Sequence, residues 1–407
     1  MPKNAEKPRV YMLLNRYLPI IGGAEMQAAQ LSRELVRRGC AVTIITRRIR
    51  PELPARQQIN GVPVRRLLPV GLSTPANGAI ILSMIAHLVA HRRDYDVIHT
   101  MGLGPIAIAA TLAGKLARKP VILRVSTQGD LRRENYEKLK LPLYRRLIRS
   151  LLVPPSLWNA MLKSADALIA LSQETVAEAE ALGLGRSLVL LPNGVDAQRF
   201  RPPQDEAEKM ALREQLHLPP SATILLGTGR LVTRKRFDLA IKALKHIIND
   251  FPDCHLVLAG SAEHQNDAVE THLRALVEQS GLTGKVTFTG NVTNVDEYLR
   301  AADLYFFPSE REGMPNAILE AMAAGLPIVA SRIGGVVDLL DDNTAWLFES
   351  GNEAACNAAL RAALSAPVER QRRGVVVRQR VMDEFSLEAA AQRYEALYLR
   401  LMKQSVG

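Results

Sequence analysis

Two carboxylates, Glu312 and Glu320, frame the segment Glu312-Gly313-Met314-Pro315-Asn316-Ala317-Ile318-Leu319-Glu320. Acid and nucleophile chemistry at a glycosidic bond uses such a pair, and so does a grip on sugar hydroxyls. Pro315 fits the first turn of a helix, where its missing N–H is not needed, and the residues after it are good helix formers. The turn is therefore expected to aim free backbone N–H groups and the positive end of a helix dipole at a ligand in front of it. Glu312 is placed at the mouth of this helix and Glu320 about two turns inside it. A solvated carboxylate near a helix N-terminus accounts equally for Glu312 taken alone. Glu320 lies in Ala317-Ile318-Leu319-Glu320-Ala321-Met322-Ala323-Ala324, a run too apolar for a surface helix, so its carboxylate requires a partner or a ligand.

A second polar group lies earlier, in Gly229-Arg230-Leu231-Val232-Thr233-Arg234-Lys235, after a strand pattern and before a helix pattern. Cations at a helix N-terminus are unfavourable unless an anion joins them. Arg230 offers a planar fork and Lys235 a mobile point charge, a pairing suited to a diphosphate, whereas Arg234 and Arg236 read as a solvated basic turn. Gly22-Gly23 lets backbone N–H groups approach phosphates, and Gly334-Gly335 has the same form; ordinary tight turns use both patterns too.

These residues must be positioned by parallel sheets covered with helices, because short apolar runs alternate with helical periodicity along the whole chain. Val10-Tyr11-Met12-Leu13-Leu14 reads as a buried strand and Gly22-Gly23-Ala24-Glu25 as a loop. The next helix carries Ala24, Ala28, Leu31 and Leu35 on one face and stops at Gly39. Ala41-Val42-Thr43-Ile44-Ile45-Thr46, Val97-Ile98, Val121-Ile122-Leu123, Ala167-Leu168-Ile169-Ala170 and Leu188-Val189-Leu190 are further strands. Pro192-Asn193-Gly194-Val195-Asp196 and Arg201-Pro202-Pro203 break the alternation. It restarts at Ile224-Leu225-Leu226-Gly227 and runs through His255-Leu256-Val257-Leu258, Val286-Thr287-Phe288, Leu304-Tyr305-Phe306-Phe307 and Ile328-Val329-Ala330. Ligands in open α/β sheets bind beyond the carboxyl ends of the strands, where the candidate residues fall. The expected domains are residues 1–197 and 198–386, with a helix in 387–407 packing back towards the first.

A chain of 407 residues is too long for one ordinary domain. Its formal charge of +11 is uneven: residues 1–200 carry 29 Lys and Arg against 14 Asp and Glu, and residues 201–407 carry 23 against 27. A basic N-terminal half suits a phosphorylated substrate or an anionic membrane surface; no helix-turn-helix, zinc pattern or RNA-binding signature accompanies it, so nucleic acid is excluded as a partner. Cys40, Cys254 and Cys356 are scattered and odd in number, which points to a reducing compartment without a disulfide or metal framework. Asn15 and Arg16 interrupt the first apolar stretch, so no signal peptide is expected. The apolar runs 78–89 and 102–114 are shorter than a bilayer span and read as core helices. Residues 139–152 place Leu139, Leu143, Leu147 and Leu151 on one helical face among Lys138, Lys140, Arg145, Arg146 and Arg149, a pattern for a helix on an anionic membrane or over the core. A cytoplasmic protein is expected, with the inner face of the membrane as a candidate workplace.

Taken in order, Gly22-Gly23-Ala24-Glu25, Pro192-Asn193-Gly194-Val195-Asp196, Arg230 with Lys235, Glu312 with Glu320, and Ala323-Ala324-Gly325-Leu326-Pro327 followed by Gly334-Gly335 resemble the retaining nucleotide-sugar glycosyltransferases of family 4. The resemblance covers most of the chain and is strongest over residues 229–346. It implies the GT-B fold, α/β with two Rossmann-like domains whose parallel sheets face a central cleft. It implies a nucleotide-sugar donor, with UDP as the expected nucleotide, and a glycan or glycolipid acceptor. Glu320 would accept hydrogen bonds from the ribose hydroxyls, while Glu312 and the backbone of Gly313, Met314 and Pro315 would hold the donor sugar. Arg230 and Lys235 would neutralise the departing diphosphate in place of a divalent metal, so no metal or other cofactor is expected. The leaving phosphate would itself take the acceptor proton. Many relatives place a histidine after the strand Val121-Ile122-Leu123, where this chain has Ser126, which hydrogen-bonds but cannot act as an imidazole. His99 joins Gly22, Gly23 and Ser126 as a substrate-side candidate, with a core histidine as its competing role. The rival to an enzyme is a sugar-nucleotide-binding partner that has lost catalysis; a nicotinamide-dependent dehydrogenase would need a Gly-x-Gly-x-x-Gly that is missing after the first strand.

Overall fold

The computed structural model describes residues 7–20, 22–71, 74–126, 129–132, 155–262 and 267–404 of the chain; the amphipathic pattern at 139–152 lies outside them. Two compact units result, Met1–Gly194 with Leu387–Gly407, and Val195–Ser386.

In the first unit, β1 (Arg9–Leu13), β2 (Ala41–Arg47), β3 (Arg56–Ile59), β4 (Val62–Leu67), β5 (Val97–Thr100), β6 (Val121–Arg124), β7 (Ala167–Ala170) and β8 (Leu188–Leu190) form one sheet, in the order β3-β4-β2-β1-β5-β6-β7-β8. Helices on both faces explain why β5, β6 and β7 are buried at every position and read as continuous apolar runs. The β3–β4 pair is an antiparallel hairpin that the strand reading overlooks. Its signal is Asn60-Gly61, both at positive φ (51° and 79°), a two-residue turn that matches the twist of the strands it joins.

The helix Leu387–Gln404 belongs to this unit. Its buried Glu395 pairs with Lys7 and, at 2.9 Å, with Arg38. At the other end of the unit Arg124 donates to the Asn193 side chain, and Gln27 Nε2 donates to the Gly194 carbonyl at 2.9 Å. The helices Thr74–Ala90 and Pro105–Ala117 pack together through Ile80, Met84, Ile106 and Ala109, yet Leu82, Leu112 and Leu116 stay exposed. Their reading as core helices therefore holds for one face only.

The second unit contains β9 (Thr223–Thr228), β10 (Cys254–Ala259), β11 (Val286–Gly290), β12 (Leu304–Phe307), β13 (Ile328–Arg332) and β14 (Trp346–Glu349), the last of which the alternation does not reveal. All are parallel, in the order β11-β10-β9-β12-β13-β14. The direction of winding reverses between β9 and β12, and such a reversal opens a crevice at the strands' carboxyl ends. The loop after β9 is fixed there by backbone bonds, Gly229 N–H to the Ala259 carbonyl and Leu231 N–H to the Ser261 carbonyl, both 3.0 Å. Gly260 permits this approach: it sits at φ +151°, and a Cβ on it would overlap the Gly229 carbonyl oxygen. Gly260→Ala should lower stability by about 1–3 kcal/mol through backbone strain and this overlap, read as a fall in the urea midpoint. An unchanged midpoint would show that the two loops are not held so tightly.

Candidate functional site

The loop after β9 turns through Gly229 at φ +133° and a 3₁₀ turn, Thr233–Lys235, before Arg236 at φ +52° leads into the helix Phe237–Ile247. Lys235 folds back under this loop with its side chain 12% exposed. Its Nζ lies 4.9 Å from the centre of the Phe307 ring and 2.9 Å from Glu312 Oε1. Burial pushes the Lys235 ammonium below its usual range; Glu312 opposes this, while Arg234 and Arg230 add to it. Arg234 Nη1 reaches the same Glu312 oxygen at 3.2 Å. The loops after β9 and β12 are also joined by the Glu310 N–H to the Arg234 carbonyl at 2.9 Å and by Arg236 to Glu310 at 2.6 Å.

Arg234 and Arg236 are thus not the solvated turn that the sequence suggests. Arg236 is held by Asp238 and Glu310, and Arg234 shares Glu312 with Lys235. Their partners on the β12 loop lie more than 70 residues along the chain, beyond any local pattern. Arg230 is exposed beside them.

Past Glu312 the chain is clamped from below. A Cβ on Gly335 would overlap the Gly313 carbonyl oxygen, so the short helix Gly334–Val337 meets the Gly313 backbone directly. Gly334-Gly335 serves this packing. Met314 is buried, and Pro315 is the N-cap of the helix Asn316–Ala323, not its first turn, with φ −77° and ψ 109°. Glu320 is consequently little more than one turn from the helix start, closer to the crevice than two turns would place it. Glu320 is half-buried as a residue. Loss of hydration raises its pKa to about 7, against the pull of Arg199 and Lys235 and with a smaller push from Asp296. The second unit thereby brings Arg230, Lys235, Glu312, Gly313, Met314, Pro315 and Glu320 to its switch point.

The first unit has the same reversal of winding between β1 and β5. Gly22 is the extended N-cap of the helix Gly23–Arg37, and a Cβ on it would overlap the Glu25 carboxylate. Glu25, buried in that first turn with Arg16 at 3.8 Å, is a polar group that the glycine pattern flanks and the site reading omits. Ser126 is half-buried; its Oγ donates to the Met101 carbonyl at 3.0 Å, tying the loops after β6 and β5 together. His99 is a correction. It is wholly buried, its Nδ1 lies 2.9 Å from the Tyr398 hydroxyl and its ring stacks on Tyr394. Burial, helped by Arg124, pushes its pKa down to about 3. A neutral imidazole with no surface cannot meet a substrate, and only the helix 299 residues away reveals which face of β5 it occupies.

Two α/β units with switch points at parallel sheets define the class, a protein of two Rossmann-like domains. A structure of Anabaena Alr3699/HepE in complex with UDP aligns with a TM-score of 0.76 at 17% identity, covering 96% of this chain and 99% of that one, which shows a shared GT-B fold. The family described as Glycosyltransferase Family 4 matches residues 21–199, and the one described as Glycosyl transferases group 1 matches residues 208–379. The chain is 30% identical to the lipopolysaccharide core biosynthesis mannosyltransferase LpsB of Rhizobium meliloti, over 60% of this chain and 69% of that protein. It is 27% identical to a D-inositol 3-phosphate glycosyltransferase of Xylanimonas cellulosilytica over 98% of both. The chain belongs to the family 4-type GT-B glycosyltransferases.

The raised pKa of Glu320 has a signed consequence. Its protonated form favours folding fully below the ordinary value of 4.5, and that contribution is lost as pH rises through about 7. Glu320→Gln removes the ionisation, so its Tm relative to the native protein should rise between pH 5.5 and pH 8, by a free-energy difference on the order of 1–3 kcal/mol. A Tm difference independent of pH would mean that Glu320 ionises as an ordinary surface carboxyl.

Proposed function

We propose that this glycosyltransferase moves a sugar from a nucleoside diphosphate donor, with uridine as the base, to a hydroxyl of a glycan or glycolipid, retaining the anomeric configuration and using no divalent metal. The observation that carries the reading is the Glu312 carboxylate set against Lys235 and Arg234 at 2.9 and 3.2 Å, at the switch point of a doubly wound sheet. A buried ammonium and a guanidinium converging on one anion are equipped to hold another, and a diphosphate is the anion that a sugar donor brings. Uridine is supported by the UDP held in the Anabaena structure. The acceptor class is supported by the lipopolysaccharide core biosynthesis named for the Rhizobium meliloti relative.

In this reading Arg230, Lys235 and Arg234 face the diphosphate, and Glu320 accepts from the ribose hydroxyls. The bond between the sugar's anomeric carbon and the β-phosphate oxygen breaks, its electron pair staying on the phosphate. The acceptor oxygen bonds to the anomeric carbon on the same face, and its proton passes to the departing phosphate. The cations stabilise the charge that develops there, the task that a metal performs in other transferases. As the diphosphate draws Lys235 and Arg234 towards itself, Glu312 is released to stand beside the anomeric carbon and stabilise its positive charge.

Calorimetry and turnover test this together. Glu320→Ala should weaken UDP binding by about 1–3 kcal/mol, the value of a hydrogen bond to a charged group; unchanged UDP affinity would remove Glu320 from the ribose. Glu312→Gln should cut transfer by roughly a hundredfold or more while UDP affinity holds or rises, because the carboxylate no longer competes for the cations. Parallel loss of UDP affinity would mean that Glu312 assists nucleotide binding directly. Binding of GDP in preference to UDP would correct the base. Transfer should survive EDTA, and its abolition with rescue by magnesium would return a metal to the mechanism. Native protein that binds UDP but neither hydrolyses nor transfers any donor sugar would favour the inactive binding partner.

A further inference from the structure

The helices Thr74–Ala90 and Pro105–Ala117 present a surface that the donor site does not use. Along the first, Ala79, Leu82, Ala86 and Ala90 recur at helical spacing and all are exposed, Leu82 by 71%. On its neighbour Leu112 and Leu116 are 46% and 67% exposed beside half-buried Ile108. A helix face turned to water ordinarily carries charged or polar side chains. The inward faces of both helices are already filled by Ile80, Met84, Ile106 and Ala109, so the outer apolar residues are not part of that core.

Charge says what covers this face. Arg92 and Arg93 follow the first helix, Lys115 and Arg118 stand at the end of the second, and all four are exposed. Residues 53–129 contain nine Lys and Arg but only two acids, Asp94 and Asp96, and Asp96 is engaged by Arg9 at 2.6 Å. Leucines beside cations, without carboxylates on either helix, match an anionic lipid surface, whose headgroups take the charges and whose acyl boundary takes the leucines. A second copy fits poorly, because symmetric pairing would press a cationic rim against itself.

We propose that this face docks the enzyme on an anionic bilayer, with Leu82, Leu112 and Leu116 entering the headgroup region and Arg92, Arg93, Lys115 and Arg118 meeting lipid phosphates. The proposal deepens the lipid-borne acceptor reading and rests on it only for its purpose; the surface itself is independent of the donor site.

Flotation of the full chain with vesicles tests it. The native protein should float with vesicles rich in phosphatidylglycerol and stay behind with pure phosphatidylcholine. Leu82→Asp with Leu116→Asp should abolish flotation. Arg92→Ser with Arg93→Ser should lower the partition coefficient roughly 30-fold, about fivefold for each cation near the lipid. Both pairs of changes lie on the surface, so Tm and UDP affinity should remain native and show that folding is intact. Absence of flotation with phosphatidylglycerol, or equal flotation of both variants, would overturn the proposal. So would a dimer in light scattering that Leu82→Asp with Leu116→Asp dissolves, since the face would then join two copies. Loss of UDP binding with flotation intact would defeat the donor reading alone.

Discussion

The second unit is organised around the ion pair of Lys235 and Glu312. An ammonium folded beneath its own loop is costly unless a carboxylate answers it, and removing either partner would strand the other in a poorly hydrated place. The pair therefore fixes the loop after β9 against the loop after β12, the two strands where the winding reverses. Arg234 reinforces the same oxygen, and Arg236 reaches Glu310 on the same loop. Such a pair adds little net stability, but it holds both charges in a defined place.

Backbone contacts make that placement possible. Gly260 lets the Gly229 carbonyl come close, and Gly335 does the same for Gly313. Each contact brings main chain directly against main chain, with no side chain between to act as a spacer, so the loops bearing Lys235 and Glu312 have few ways to shift. Glu320 then sits in the first turns of a short helix whose N-cap is Pro315, half-buried and enclosed enough to raise its pKa to about 7.

The first unit shares the winding but uses its polar residues differently. His99, Tyr398 and Tyr394 join the strand β5 to the C-terminal helix, and Ser126 spends its proton on the Met101 carbonyl. Its most unusual feature faces outward, two apolar helices whose exposed leucines are accompanied by cations.

Much of this architecture is written locally. Alternating apolar runs mark most of the strands, and the break at residues 192–196 falls at the boundary of the two units, between Gly194 and Val195. Glu312, Glu320, Arg230 and Lys235 are legible as candidates because their residue types are ill suited to the apolar or helix-opening positions they occupy. The hairpin at Asn60-Gly61 was legible too, through turn chemistry rather than strand periodicity. The sequence alone thus determined the class of fold and the chemistry available at each position, since both follow from side-chain type and short-range spacing. Tertiary structure decided which groups meet: Arg234 with Glu312, Gly335 beneath Gly313, His99 within the core and Leu82 on the surface. Those outcomes depend on which segments a fold brings into contact across tens or hundreds of residues, and hydrophobic periodicity carries no information about that.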